Sequence, residues 1–490
     1  MESNKAQGKD MSRYEVVVGL EIHVQLKTAT KLFCSDANSF GDAPNTNVSP
    51  ITLGHPGTLP MINRKAVEYA VRMGLVCHCD IETQNYFARK NYFYPDLPKG
   101  YQVSQHTTPI CQNGHVHIRT AAGERDIPLT RIHLEEDAGK SIHDADPTVT
   151  CLDYNRAGVP LIEIVTEPAL RNSEEAFAFL TEVRKLVRWI GICDGNMEEG
   201  SLRCDANISV RPHGETKLGT KVEVKNLNSI RNIRRAIDAE ATRLMNMMDR
   251  GETILQETRS YDADRDATVS IRTKEDADDY RYFAEPDLNP FLLTQGYIDD
   301  VRKALPQLPE QRMERYRQEY ALPEYDARVL CEDRTLSDYY ERITAETGQY
   351  KPIANFLMGP VRSWLNEREG DWENVQVGPK AWSAMLSMVE SGKISFSVAA
   401  QRLVPALLEG RTDDPIALAR ELNILQDADA GSVQQWVDEV IARMPDKVQE
   451  YRKGKKGLIG LFVGEVKKLS RGKADPKMTN DLLLEKLNSP

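Results

Sequence analysis

The sequence predicts an α+β N-terminal domain with a mixed or antiparallel sheet, followed by all-α helical and tail domains. Up to about residue 295, short β-type segments are broken by Gly, Pro and Asn, and two long helical segments interrupt them without a regular βαβ rhythm. Beyond that point almost every segment has helical periodicity. We therefore expect three domains, comprising residues 1–295, 296–392 and 393–490.

The first strand is predicted from the alternation in "VVVGLEIHVQL", residues 16–26. Every second residue from Val16 is apolar, whereas the intervening positions include Glu21 and His23. Side chains two residues apart lie on the same face of a strand, so Glu21 and His23 are neighbours on one face. A solvated outer face would produce the same pattern, and this strand alone does not decide between a site and a surface.

Two helices are predicted within the N-terminal domain. The first starts at Asn172, which has Glu175 at capping-box spacing and is followed by apolar residues that recur on one face. The second is the segment "NSIRNIRRAIDAEATRLMNMMDRGE". After these elements, "FAEPDLNPF" at residues 283–291 is interpreted as a linker region that leads into the helical part of the chain.

Composition sets the broad class of the protein. The chain has 490 residues, of which 40% are hydrophobic and 28% charged, as expected for several globular domains. The N-terminus has no apolar secretory segment, and no apolar run reaches the roughly 18 residues of a membrane span. We therefore expect a cytoplasmic protein with no membrane partner. The eight scattered cysteines favour free thiols over a disulfide framework, and Cys77-His78-Cys79 is interpreted as half-buried strand rather than a zinc site.

A buried acidic residue is the first candidate for function. Glu163 lies at the centre of "LIEIV", residues 161–165, which reads as a buried strand. An ionised carboxylate is costly to desolvate unless a cation compensates it. A strand that ends in Glu135-Glu136-Asp137 brings further acids, although a solvated loop would also carry them.

If Glu21, His23, Glu136 and Glu163 converge, they form an oxygen-rich site with one imidazole. Such a donor set suits Mg²⁺ or Mn²⁺ better than zinc, which favours thiolates and more histidines. Polar residues of both signs in residues 88–105 and 197–212 are also suited to a cleft that handles phosphate.

The standard nucleotide and hydrolase motifs are absent from the sequence. "EDAGKS" ends like a P-loop, but Leu134 stands where the first glycine is required. No GxGxxG follows a predicted strand and no G-x-S-x-G nucleophile elbow is present. Use of ATP would therefore follow another scheme, and a serine hydrolase is disfavoured.

Eight long motifs, in order along the chain, carry a family resemblance. They are "GLEIHVQLKT", "RKNYFYPDLPKGYQ", "RIHLEEDAGKS", "DYNRAGVPLIEIVTEP", "MEEGSLRCDANISVRP", "EVKNLNS", "DDYRYFAEPDL" and "LIGLFVGEVKKLSRGKADPKM". In these motifs the chain resembles the B subunits of the bacterial GatCAB aspartyl/glutamyl-tRNA(Asn/Gln) amidotransferases. The resemblance implies that residues 1–295 form a catalytic cradle domain and that the tail domain binds tRNA.

The resemblance also implies a reaction. With ATP, the family phosphorylates the side-chain carboxylate of glutamate or aspartate mischarged on tRNA(Gln) or tRNA(Asn), and ammonia then displaces the phosphate. It is a carbon–nitrogen ligase with glutamine as the amide donor. Ammonia would come from the A subunit, which is a glutaminase, and the C subunit would clamp the other two together. This division of labour fits the absence of a hydrolase nucleophile motif.

Site residues follow from the resemblance by position in the motifs. It implies metal binding by His23, Glu136 and Glu163, with Glu21 as an acidic catalytic partner and Lys90 where ammonia emerges. Arg203 and Asn207 are expected to contact the nucleotide, so the implied cofactors are Mg²⁺ and the substrate ATP.

One departure from the family pattern concerns zinc. Many members have a zinc knuckle of four cysteines, and the corresponding positions here are Cys34, Asp36, Ser49 and Thr52. With one thiol of four, a structural zinc is not expected, and the loop must be held by other contacts.

Charge distribution bears on the nucleic-acid partner. The net charge of −11 argues against general DNA binding, but residues 451–477 contain nine Lys and Arg against two acids. An amphipathic helix with a solvated face would also explain this run. We expect mischarged tRNA as the partner of the tail. The alternative function that we keep is that of a non-catalytic tRNA-binding assembly subunit.

Overall fold

A computed structural model describes residues 13–143, 148–225, 227–273, 280–425, 430–470 and 473–488 of the chain. The contacts divide it into two compact units, Met1–Pro306 and Gln307–Pro490. The predicted division at residues 295 and 392 stays a prediction. Within the described residues, no helix combines the length and apolarity needed to cross a membrane.

The described strands all lie in the first unit. In chain order they are Tyr14–Gln25 (β1), Asp80–Ile81 (β2), Gln84–Asn85 (β3), Ala88–Asn91 (β4), Tyr101–Ser104 (β5), Cys111–Gln112 (β6), His115–Thr120 (β7), Gly123–Glu136 (β8), Lys140–Ile142 (β9), Cys151–Asp153 (β10), Pro160–Thr166 (β11), Leu202–Pro212 (β12), Val222–Lys225 (β13), Glu257–Asp262 (β14), Ala267–Thr273 (β15), Phe283–Ala284 (β16) and Phe291–Leu292 (β17). Four helices accompany them: Arg64–Val76 (α1), Ser173–Trp189 (α2), Ile230–Asp249 (α3) and Gln295–Lys303 (α4).

One large mixed sheet organises the unit. Its main path runs β15-β14-β13-β12-β1-β11-β8-β5-β4-β16, with β2, β6 and β7 branching from it. The pair β13–β14 is parallel, whereas β1 pairs antiparallel with β11 on one side and with β12 on the other. The α+β class predicted from the sequence is confirmed, and β1 lies at the centre of the sheet.

The alternation in β1 separates the core from the other face of the sheet. Val18, Leu20, Ile22 and Val24 are fully buried, and burying each such side chain contributes roughly 1.5–3 kcal/mol. The intervening Glu21, His23 and Gln25 are only partly buried. The polar face of β1 is therefore the face on which a site can form.

Local signals set the helix ends of the first unit. The Asn172 side chain accepts a hydrogen bond from the Glu175 amide at 2.8 Å, so the predicted N-terminus of α2 is confirmed. In contrast, the prediction of a strand at Cys77-His78-Cys79 is wrong. Cys77 is the C-cap of α1, and His78 has a positive φ of 57°, a left-handed conformation that ends the helix.

The second unit is helical throughout its described residues. Its α-helices are Pro309–Gln318 (α5), Glu324–Leu330 (α6), Arg334–Thr347 (α7), Tyr350–Phe356 (α8), Arg362–Glu367 (α9), Pro379–Glu390 (α10), Phe396–Val398 (α11), Val404–Leu408 (α12), Pro415–Glu421 (α13), Ala430–Arg443 (α14), Pro445–Arg452 (α15), Ile459–Leu469 (α16) and Pro476–Asn488 (α17). Short π-helical turns, Leu357–Val361 and Ala399–Leu403, join α8 to α9 and α11 to α12. Helices α14 to α17 share a hydrophobic core of their own, which includes Val437, Tyr451, Phe462 and Leu483.

None of the eight cysteines forms a disulfide, as predicted, and most are buried. Burial raises the pKa of the Cys79 thiol to about 12 and that of Cys193 to about 11, which keeps both protonated and unreactive near neutral pH. Cys151 is the exposed one.

Hydrogen bonds hold the loop for which the family resemblance raised the question of a zinc knuckle. The Asp36 carboxylate accepts hydrogen bonds from the Ser49 amide at 2.8 Å and from the Thr52 hydroxyl at 2.5 Å. The sulfur of Cys34 lies 3.4 Å from the same hydroxyl. The residues at the four knuckle positions are thus connected through one carboxylate.

Asp36→Asn is expected to loosen this loop. Burial opposes ionisation of Asp36, but its hydrogen bonds lower the pKa below the ordinary value, so its contribution to stability is present at neutral pH and is lost as the pH falls through that pKa. Removing the charge should cost about 1–3 kcal/mol locally. Hydrogen exchange in peptides covering residues 45–55 should accelerate accordingly.

The matched control is Asp300→Asn, because the Asp300 side chain is 79% exposed and its ion pair with Lys303 is 3.7 Å long. It should leave exchange in residues 45–55 unchanged. Equal exchange rates in Asp36→Asn and the wild type would show that the carboxylate does not hold the loop.

Candidate active site

A row of four polar side chains crosses the centre of the sheet. In the register of β12, β1, β11 and β8, Arg203 is the partner of His23, His23 of Glu163, and Glu163 of His133. Directly paired residues on adjacent strands project from the same face. Strand pairing alone therefore places two histidines, a carboxylate and a guanidinium side by side.

Glu135 completes the centre of this row. It lies two residues after His133 on β8, and one of its carboxylate oxygens is 3.4 Å from Nδ1 of His23. Potential ligand atoms of His23, Glu135 and Glu163 all lie within 4.8 Å of one another. Two carboxylates and one imidazole form a donor set that fits Mg²⁺ or Mn²⁺ better than zinc.

The electrostatics of the cluster are strongly coupled. Burial opposes ionisation of Glu135, but hydrogen bonds from His133 and His23 hold the pKa of its carboxyl well below the ordinary value. Burial likewise disfavours the charged form of His23, yet Glu135 and Glu163 raise the pKa of the imidazole to about 9. The cluster thus draws positive charge towards the buried carboxylate of Glu135 and the partly buried carboxylate of Glu163.

The structure does not bring Glu136 to this cluster, where the sequence analysis had placed it. Consecutive residues of a strand face opposite sides of a sheet, so Glu136 points away from the face that Glu135 shares with His133. Its carboxylate forms an ion pair with Lys99 and accepts a hydrogen bond from the Val103 amide at 2.9 Å. It lines a separate cavity of about 180 Å³.

Glu21 lies next to the cluster on the same face of β1. The amide of Asn207 donates a hydrogen bond to its carboxylate at 2.9 Å, across the β1–β12 pair. Burial and the nearby charge of Glu163 raise the pKa of Glu21. Glu21 and Asn207 both line a polar cavity of about 430 Å³ together with His23, Glu135 and Glu163.

Lys90 lies at the same cavity, and no described carboxylate forms an ion pair with it. Its Nζ is 4.7 Å from the ring centroid of Tyr280 and 5.8 Å from that of Tyr92. The described residues give it no ion pair, so its charge is available to the cavity. Aromatic faces stabilise a cation without neutralising it.

Another, larger cavity adjoins the polar cavity of about 430 Å³ that contains the cluster. It has a volume of about 940 Å³, and Arg203, Asp205 and Lys225 line both cavities. Arg203 is paired with Asp137 at 2.7 Å, and Lys225 with Asp205 at 2.9 Å. Two cations with carboxylate partners therefore stand between the larger cavity and the cluster.

Comparison with known proteins identifies the family of the chain. Residues 16–299 match the family model described as the GatB/GatE catalytic domain, and residues 338–487 match one described as a GatB domain. The chain belongs to the GatB/GatE family. The B subunit of the aspartyl/glutamyl-tRNA(Asn/Gln) amidotransferase of Oleidesulfovibrio alaskensis is 47% identical over 97% of this chain and 100% of its own length.

Two further relatives, which carry the same name, support membership in the GatB/GatE family. The protein of Syntrophotalea carbinolica is 45% identical, and that of Pelodictyon phaeoclathratiforme is 47% identical. Each match covers 97% of this chain and 99% of the relative. The resemblance seen in the eight motifs is confirmed over nearly the whole length.

Two residues of the cluster, Glu135 and His133, were not predicted from the sequence. Both are in "RIHLEED", where His133 and Glu135 are two residues apart and thus share a face. A histidine beside an acid at that spacing repeats the Glu21–His23 pattern of β1. That pattern, applied to β8, would have selected Glu135 instead of Glu136.

Proposed function

We propose that this GatB/GatE family chain is the subunit of a tRNA-dependent amidotransferase that activates the side-chain carboxylate of Glu-tRNA(Gln) or Asp-tRNA(Asn) with ATP and then amidates it. The observation that carries the proposal is the convergence of His23, Glu135 and Glu163 beside a polar cavity. The names of the relatives support the same reaction.

The residues present fit a divalent cation. Ligand atoms from His23, Glu135 and Glu163 would hold it, and the two carboxylates provide the negative charge it needs. A bound Mg²⁺ would neutralise charge on the transferring phosphoryl group. His23 must be neutral to act as a ligand, so cation binding and protonation of this imidazole compete.

The two adjoining cavities suit the two substrates. The larger one would hold ATP, with Arg203 and Lys225 towards its phosphates, because both cations also face the smaller cavity. Asn207 would act indirectly rather than by contact with ATP, since its side-chain amide donates a hydrogen bond to the Glu21 carboxylate. The polar cavity of about 430 Å³ would hold the glutamyl or aspartyl side chain beside the cluster.

The proposed reaction has two steps, phosphorylation of the carboxylate and amidation of the acyl phosphate. A side-chain carboxylate oxygen attacks the γ-phosphorus and ADP leaves, which gives an acyl phosphate. Ammonia then attacks the acyl carbon, phosphate leaves, and the nitrogen loses a proton. Lys90 lies where an unpaired ammonium can stabilise the departing phosphate, and the Glu21 carboxylate can accept the proton.

The proposed partners follow from what the chain would need. Its sequence has no hydrolase nucleophile motif, so a glutaminase, the A subunit, would supply the ammonia. The C subunit would complete the same cytoplasmic complex. Mischarged tRNA is the macromolecular substrate.

Trapping the activated intermediate tests the proposed function. The assembled complex is incubated with ATP and mischarged tRNA, without glutamine but with hydroxylamine. We expect formation of the side-chain hydroxamate together with ADP, and none with uncharged tRNA. If neither hydroxamate nor ADP formed, the non-catalytic tRNA-binding alternative would be preferred.

The tail is proposed to bind the tRNA body. Helices α14 to α17 have their own core, while Lys453, Lys455 and Lys456 are exposed. Phosphate contacts release counterions and make affinity dependent on salt. Replacing these three lysines by Gln should raise the KM for mischarged tRNA about tenfold and lower the slope of log affinity against log salt by about 2 to 3.

Lys303→Gln is the control, since that side chain is 78% exposed and lies outside the tail. Deleting residues 426–490 should have the larger effect, and glutamine hydrolysis without tRNA should stay unchanged in every variant. An unaltered salt slope in the triple variant would assign the basic run to a solvated face.

A further inference from the structure

His133 is a buried histidine in direct contact with both carboxylates of the cluster. Its side chain is 3% exposed. Nε2 lies 3.4 Å from one oxygen of Glu135 and 3.5 Å from one oxygen of Glu163. Nδ1 is buried as well and has no hydrogen-bond partner among the described residues.

These contacts determine which ring nitrogen carries the proton. A neutral imidazole has one N–H donor and one acceptor nitrogen. With the hydrogen on Nε2, the ring donates towards two carboxylates in a shared, charge-assisted interaction. With the hydrogen on Nδ1, the donor would be buried unpaired and the Nε2 lone pair would face two anions.

The position of His133 distinguishes it from the ligands. The potential ligand atoms that lie within 4.8 Å of one another belong to His23, Glu135 and Glu163, and His133 is not in that group. Its Nε2 lies within 3.5 Å of one oxygen of each carboxylate, so a hydrogen on Nε2 would be directed at both. A nitrogen that carries this hydrogen has no lone pair for a cation.

We infer that His133 is a positioning residue: its Nε2–H holds the Glu135 and Glu163 carboxylates in the arrangement that receives a divalent cation, without binding the cation. This inference rests on the proposed function, because it assumes the metal site. Two carboxylates this close repel each other, so the shared donor keeps both turned towards His23. Removing a group that hydrogen-bonds to a metal ligand typically weakens metal binding by about 10- to 100-fold.

The test compares two substitutions in the full chain with Mn²⁺ as the probe. His133→Leu removes the donor at similar volume, and we expect the Kd for Mn²⁺ to rise about 10- to 100-fold. His133→Gln places an amide N–H near the position of Nε2. Because the donor is kept, its Kd for Mn²⁺ should stay within about threefold of the wild-type value. His115→Leu, a half-buried site on β7, is the control and should bind as the wild type does.

Electron spin echo spectroscopy of bound Mn²⁺ gives a second readout, since it detects nitrogen ligands. The wild type should show coupling to one imidazole, lost in His23→Asn and retained in His133→Gln. Coupling to two imidazoles, or loss of a coupling in His133→Gln, would make His133 a ligand and overturn the inference. Equal Kd values for His133→Leu and the wild type would also overturn it while leaving the metal site in place.

These measurements distinguish failure of the inference about His133 from failure of the metal site itself. Wild-type chain without saturable Mn²⁺ binding would overturn the metal site itself, and the inference with it. If His133→Leu did not fold, as judged by circular dichroism, His133→Asn would replace it, because its shorter amide does not reach both carboxylates. Wild-type affinity in His133→Asn would then contradict the inference.

Discussion

Glu163→Gln is expected to abolish ATP-dependent amidation of mischarged tRNA while glutamine hydrolysis by the glutaminase partner persists. Glu163 lies in the cluster with His23 and Glu135, and its side chain is 13% exposed. The substitution keeps the shape of the side chain but removes the charge that would hold a cation. Charge neutralisation in phosphoryl transfer contributes several kcal/mol, so turnover should fall roughly 10²- to 10⁴-fold.

Glu167→Gln is the matched control for this experiment. Glu167 follows Glu163 by four residues, is exposed, and accepts a hydrogen bond from Thr130 at 2.8 Å. Both activities should persist in this variant. Hydroxamate formation and ADP release with mischarged tRNA measure the activation step alone, and wild-type rates in Glu163→Gln would remove Glu163 from the site.

A comparison of Glu135→Gln with Glu136→Gln should give the second largest effect. Glu135 contacts His23 and His133, whereas Glu136 is paired with Lys99 on the opposite face of the strand. We expect Glu135→Gln to weaken Mn²⁺ binding at least about 100-fold, because it removes a charged ligand. Glu136→Gln should bind Mn²⁺ within a few-fold of the wild type.

Glu136→Gln should instead be less stable. It leaves Lys99 without its carboxylate partner in a site where both side chains are largely buried, which costs about 3–5 kcal/mol. Thermal unfolding of the first unit measures the loss of stability, and isothermal titration with Mn²⁺ measures the affinity of each variant for the cation. The reverse pattern of metal binding would restore Glu136, as the sequence analysis had placed it, to the metal site.

The sequence predicted the faces of the strands better than their relative register. The alternation in β1 placed Glu21 and His23 on one polar face, and the structure agrees. The run Glu135-Glu136-Asp137 has no alternation of its own, and the His133–Glu135 spacing gives the shared face of β8 but not its register with β11. A slip of one residue exchanges the two faces, so pairing with β11 is what brings Glu135 rather than Glu136 to the face of Glu163.

Tertiary pairing also explains the segment that was interpreted as a linker. Residues 283–291 include Phe283–Ala284 and end at Phe291, and these form β16 and the first residue of β17. Each strand has only two residues and pairs with β4 or β3, so its conformation depends on partners about 200 positions earlier. Helices, whose hydrogen bonds and caps are local, were predicted more reliably, as α2 shows.

The central position of β1 has a consequence for synthesis of the chain. Residues 14–25 are synthesised well before their partners, β11 and β12, which end at residues 166 and 212. At 5 to 20 residues per second, β1 waits roughly 10–40 s on the ribosome for its last neighbour. Both edges of β1 are unpaired until β11 has been synthesised, and the edge that pairs with β12 stays unpaired until that strand follows, so nascent chains of this length expose a strand edge that can pair with another chain.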